Sequence, residues 1–109
     1  MAPTQAKDIY IALDDHAHNW LRIKFVRAGK DLVIFLAQYE ILIGEEVYPV
    51  VRYDGAHGFA HRDLLDRRGD VIDKQPLLGN PSFAEALDIG RHDILANWRQ
   101  YRANFLRGK

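Results

Sequence analysis

The sequence predicts an α+β fold: an antiparallel meander of five or six strands with one long C-terminal helix packed on one face. Three observations predict it. Up to about residue 77, short apolar runs, several alternating with polar residues, are separated by turn signals such as Gly29-Lys30-Asp31. From Asn80 onward the period changes to steps of three and four. The chain has 109 residues, which suits a single domain, 1–109, and leaves no room for two.

Each element has its own signal. Ile9, Ile11 and Leu13 alternate with Tyr10 and Ala12, which suits a short strand, and Asp14 to His18 reads as a polar loop. In Trp20 to Val26, Leu21, Ile23 and Phe25 face one side while Arg22 and Lys24 face the other. Leu32 to Ile43 is too apolar to read by period. Its β-branched and aromatic residues, set between Gly29 and Gly44, favour a long central strand over a helix. Gly44-Glu45-Glu46 makes a hairpin connection to a strand from Val47 to Tyr53. Pro49 cannot donate to a ladder, so it marks an edge or a bulge. Gly55 and Gly58 break the pattern before a strand over Phe59 to Asp66. Arg67 to Asp70 is a turn, and Val71 to Leu77 is the last strand.

Asn80-Pro81-Ser82 opens the helix, with Pro81 where a missing N–H costs little and Ser82 with Glu85 matching a capping box. Phe83, Leu87, Gly90, Ile94, Trp98, Tyr101 and Phe105 form one apolar stripe on a helix of about six turns. A glycine inside that stripe costs up to about 1 kcal/mol against alanine. Close approach to the sheet is the expected reason for Gly90.

Fifteen basic residues balance fifteen acidic ones. That argues against a protein built mainly to coat nucleic acid and leaves room for a local basic patch. The absence of cysteine excludes disulfides, thiol nucleophiles and cysteine-ligated metal. The N-terminus has no apolar run of signal-peptide length, and LVIFLA is far short of the roughly 20 residues that span a bilayer. A cytoplasmic protein that meets no membrane is expected. Leu32 to Ile43 offers more apolar strand than one helix covers, so a homodimer joined through the sheet is also expected.

The stretch VRYDGAHGFAHRD, Val51 to Asp63, concentrates two histidines, two aspartates, two arginines and two glycines. Three readings stand beside one another. In the first it is a turn: Asp54-Gly55 and His57-Gly58 are turn dipeptides, and aspartate bonds its own downstream amides. In the second it is a metal-free nuclease site. Phosphodiester cleavage by a 2′-hydroxyl needs an acid, a base and a cation for the charged oxygens. His57 and His61 would supply the first two, Arg52 or Arg62 the cation, and Asp54 or Asp63 would orient an imidazole. In the third, Asp54, His57, His61 and Asp63 bind Zn, Mn or Fe. Of the two functional readings the nuclease one leads, as a metal-independent ribonuclease with no cofactor and no metal ligand assigned. His16 and His18 read as polar surface, and His92 as a solvated flank of the helix. From Arg91 to Lys109 there are five basic residues and one acidic, Asp93. These basic residues suit a helix C-terminus, and Arg99, Arg102 and Arg107 are also candidates for contact with nucleic acid or an acidic partner.

Arg52 to Asp63, RYDGAHGFAHRD, resembles the R-Y-D-x-A-H-G-x-x-H-R segment of the TumE-like proteins, which are encoded beside a helix-turn-helix antitoxin in prokaryotic toxin–antitoxin pairs. It is similar as well to a sister family of uncharacterised prokaryotic proteins with A-H-G-x-x-H-R-D. The order of elements and the helix segment Asn97 to Arg102 are comparable too. The resemblance covers about half of the chain, from Val47 onward. Asp63 departs from it, standing where a basic group is common, and Asp66 to Gly79 is longer than the usual link. The resemblance implies a toxin acting on RNA or another nucleic acid, neutralised by a cognate helix-turn-helix antitoxin, with a site at Asp54, His57, His61 and Arg62. The alternative is a non-catalytic protein-interaction module in which the motif is a structural corner.

Overall fold

A computed structural model describes residues 4–108. Six strands run in chain order across one antiparallel sheet: β1 (Thr4–Ala12), β2 (Asn19–Ala28), β3 (Asp31–Ile43), β4 (Glu46–Asp54), β5 (His61–Leu65) and β6 (Val71–Pro76). One helix, α1 (Phe83–Leu106), lies across β2, β3 and β4 on one face. The expected α+β meander with a single C-terminal helix is the observed fold.

The long apolar segment is a central strand. Its helix-facing residues Phe35, Ala37 and Tyr39 pair with Phe25, Ile23 and Leu21 of β2, and all but Phe25 are buried. Pro49 sits at the expected irregularity: the β3–β4 register shifts between Tyr39 and Glu40, and Pro49 lies opposite Glu40. The first strand is longer than expected. It begins at Thr4 and ends before Leu13, and each of its nine residues is exposed. The motif strand is shorter, because Phe59 and Ala60 stay outside the ladder and β5 starts at His61.

The helix begins as the capping box requires. The Ser82 hydroxyl accepts from the Glu85 amide at 3.1 Å, and the Glu85 carboxylate accepts from the Ser82 amide at 3.0 Å. Ala86, Gly90, Ile94, Trp98 and Phe105 are its buried residues. Ala86 joins the stripe beside Leu87, which is half-buried and packs against the core as Phe83 and Tyr101 do. At Gly90 a Cβ would stand 2.7 Å from Cγ and 2.9 Å from Cβ of Tyr53, so the missing side chain is what lets the ring pass beneath the helix.

The Tyr53 hydroxyl then donates to Asp93 Oδ2 at 2.6 Å, and the Tyr101 hydroxyl donates to the same oxygen at 2.5 Å. Arg62 Nη1 donates to the Tyr101 hydroxyl at 3.3 Å. This network ties α1 to β4 and β5. Burial, then donation to Asp93, raises both phenols above the ordinary tyrosine range. Burial likewise raises Tyr39, whose hydroxyl donates to Asn19 Oδ1 at 2.5 Å. No helix among the described residues is long and apolar enough to cross a membrane.

Candidate functional site

Because side chains alternate across a strand, the register sorts the motif onto two faces. Tyr53 and Arg62 pair with each other on the helix side. Arg52, Asp54, His61 and Asp63 fall on the open face. Two rows cross that face: Lys24, Leu36, Asp54 and His61 in one, and Arg22, Gln38, Arg52, Asp63 and Lys74 in the next. The two rows juxtapose the groups that carry chemistry.

His61 is the centre. It is 1 % exposed, with the Phe59 ring tilted against it at 5.4 Å. Its Nδ1 lies 3.1 Å from the Phe59 carbonyl oxygen. A carbonyl only accepts, so Nδ1 carries the proton and Nε2 faces the other way. There it meets Asp54 Oδ1 at 2.7 Å and Asp63 Oδ2 at 3.5 Å. Despite the short distance, Asp54 Oδ1 and His61 Nε2 form no aligned hydrogen bond, and both atoms are buried. Asp63 is buried as well, and Lys74 Nζ stands 3.0 Å from its Oδ1, also without hydrogen-bond alignment. Asp54 is the most accessible of the three, with 22 % of its side chain exposed.

Asp54 is not a turn-capping aspartate. The chain shows what those look like: Asp14 Oδ1 accepts from the His18 and Asn19 amides, and Asp66 Oδ1 from the Arg68 and Asp70 amides. Asp54 instead turns its carboxylate to His61 across the β4–β5 ladder. Gly55 also differs from the turn reading. Its φ is −115°, so it is not needed for a left-handed backbone. A Cβ there would run into the Phe83 ring, which packs against the turn. The left-handed positions are Gly58 at +87° and, unexpectedly, His57 at +70°.

The other residues singled out from sequence are dispersed. His57 lies exposed in the one-turn 3₁₀ segment Ala56–Gly58 and does not join the Asp54–His61–Asp63 cluster. The two histidines therefore do not share one pocket: one ring is inside and the other outside. Arg52 is on the site's face, its Nε donating to Gln38 Oε1 at 2.7 Å. Arg62 is on the opposite face, engaged by Tyr101, Asp73 and Gln75. Arg99 and Arg102 are exposed on α1, which covers the opposite face of the sheet, and Arg107 is exposed at its C-terminal cap. Arg99 lies over the Trp98 ring at 4.5 Å, and Arg107 Nη2 donates to Asn104 Oδ1. His16, His18 and His92 are exposed.

Sequence reasoning missed two neighbours of the site. Lys74 reaches Asp63 from β6, and its role follows only from the register. A hollow of about 300 Å³ at the end of the sheet is lined by Lys24, Phe35, Leu36, Asp54, Gly55 and Phe83, among others. Asp54 borders both the hollow and the cluster, so a bound molecule seated there would touch the site's most accessible carboxylate. Chemically, the cluster can hold a proton or a cation between three donor atoms that lie within 4.8 Å of one another.

Residues 3–109 match the model of a domain of unknown function, DUF7718, and the chain belongs to that family. No curated protein and no solved structure matches the chain.

Proposed function

We propose that this DUF7718 member is a toxin-type phosphodiesterase acting on RNA, with its chemistry at Asp54, His61 and Asp63. The observation that carries the reading is the convergence of a buried imidazole nitrogen and two carboxylates beside a ligand-sized hollow. In this reading Asp54 faces substrate and takes the proton of a 2′-hydroxyl as the O2′–P bond forms. The P–O5′ bond breaks, and the leaving oxygen takes a proton from the exposed His57. Arg52, on the same face, neutralises the phosphoryl oxygens. His61 is too buried to meet substrate and acts as a positioning residue behind Asp54, with Asp63 and Lys74 behind it. The partner of such a protein is a cognate helix-turn-helix antitoxin.

The test uses purified full-length chain on a structured RNA, with growth of an inducible host as a second readout. Asp54→Asn is expected to slow cleavage by roughly 10²–10⁴-fold, the contribution of a positioned general base, while circular dichroism stays unchanged. Intact RNA and unarrested growth on induction of the parent chain would overturn the reading.

A second reading, a non-catalytic interaction module, is favoured by β1. It is an edge strand of nine exposed residues, open to another strand, either a partner's or that of a second copy. Protection of the β1 amides from hydrogen exchange only when the partner is present would support that reading.

A further inference from the structure

We infer that Asp54, His61 and Asp63 form a mononuclear site for a divalent first-row cation of the Zn²⁺, Mn²⁺ or Fe²⁺ type. The inference rests on reading these three residues as a site and does not depend on RNA being the substrate.

The first argument is the tautomer. The Phe59 carbonyl fixes the proton on Nδ1 and aims Nε2 at two carboxylates. Metal-ligating histidines are held in this way, the distal nitrogen donating to a backbone carbonyl so that the proximal one presents its lone pair. Without a positive centre between them, a lone pair and two anions would face one another in a buried space, which is costly.

The second argument is the lack of partners. Nε2 of His61, on a side chain that is 1 % exposed, and Oδ1 of Asp54 are both buried without a hydrogen-bond partner. A shared proton would draw Nε2 and Oδ1 into line, and the 2.7 Å contact is off that line. A cation makes no such demand, because it attracts each ligand atom along its own direction.

The third argument is size. Metal–ligand distances of about 2.0–2.2 Å imply ligand–ligand separations of about 2.8–3.6 Å for cis-octahedral to tetrahedral angles. The His61–Asp63 separation of 3.5 Å falls within that range. The Asp54 carboxylate, 2.7 Å from Nε2, needs to withdraw by at least about 0.1 Å, and it is the most accessible of the three. Lys74 supports the same arrangement by standing near Asp63 Oδ1, while Oδ2 is the oxygen that meets His61, and so leaves Oδ2 for the ion.

One nitrogen and two carboxylate oxygens suit borderline and hard divalent ions and exclude a soft site for Cu(I). Three protein ligands leave open positions, as catalytic metal sites do, and Asp54 also borders the hollow.

The experiment titrates the metal-stripped full chain with MnCl₂ and with ZnCl₂ by isothermal calorimetry near neutral pH. One saturable equivalent is expected, with a rise in melting temperature. His61→Asn is expected to weaken binding by at least about 100-fold, the upper end of what loss of an outer-shell partner costs, while His57→Ala leaves it unchanged. Asp54→Asn, at the accessible rim, gives a second ligand variant should the buried one fail to fold. No saturable binding, or binding that survives Asp54→Asn or a folded His61→Asn chain, overturns the inference. A chain that binds one Mn²⁺ yet leaves RNA intact sinks the nuclease reading and keeps the metal site. RNA cleavage undiminished in excess chelator, with no saturable binding in the titration, does the reverse.

Discussion

Tyr53 passes beneath α1 at the one helical position that lacks a Cβ, and the next turn of the helix supplies the acceptor for its hydroxyl. Gly90 and Asp93 thus serve one side chain. Gly90→Ala would gain up to about 1 kcal/mol of helix propensity and would force the Tyr53 ring away from the helix. Overpacking costs about 1–3 kcal/mol, so a net loss is expected, read as a lower urea midpoint with an unchanged slope. An unchanged or raised midpoint would show that the close approach is not what selects glycine. This role was legible in the sequence, because a glycine inside an apolar stripe has few other uses. The role of Gly55 was not. It looks like a turn glycine, yet its φ is ordinary and it is Phe83, 28 positions along the chain, that needs the space. His57 and His61 show the same limit. Spacing says how far apart residues are along a strand, and it does not say which of two rings a turn buries.

At the scale of elements, the strands and the helix follow from period and punctuation. The central strand, the Pro49 irregularity and the capping box all stood in the sequence, because each depends on neighbours within a few residues. The elements whose limits shifted are those with weak local signals. β1 extends through Thr4 to Asp8, where polar residues pair with β2 without any apolar alternation to announce them. Lys74 could not be connected with Asp63 before the register of β5 against β6 was known. The junction between α1 and the sheet has a measurable signature. Burial, then the bonds to Asp93, places Tyr53 and Tyr101 above the ordinary range, and burial does the same for Tyr39. A phenol raised in the folded state contributes stability that is fully present below its unfolded value, near pH 10. That stability is lost as pH rises beyond it, since the unfolded chain then holds fewer protons than the folded one. The urea midpoint is therefore expected to hold level up to about pH 9 and to fall above about pH 10. Tyr53→Phe should flatten the fall. A midpoint level to strongly alkaline pH would contradict the buried network.

At the scale of the whole molecule, the sheet has two different faces. One is covered by α1 and carries the core. The other carries an ordered polar lattice, in which Asp8 binds Arg22, Gln38 binds Glu40, Arg52 binds Gln38, and His61 sits between Asp54 and Asp63. The Asp8 carboxyl is held below its usual range chiefly by its bond to Arg22. Only at His61 does this lattice leave a buried ring nitrogen unmatched among the described residues, which is why the site is placed there. Histidine resonances test that placement most directly, because the chain has five histidines and each reports separately. In long-range ¹H–¹⁵N spectra of the metal-stripped chain, one equivalent of Zn²⁺ is predicted to shift Nε2 of His61 while its Nδ1 keeps the proton. His16, His18, His57 and His92 should stay where they were. A His61 resonance that does not move, or a shift confined to His57 or the His16–His18 pair, would contradict the account.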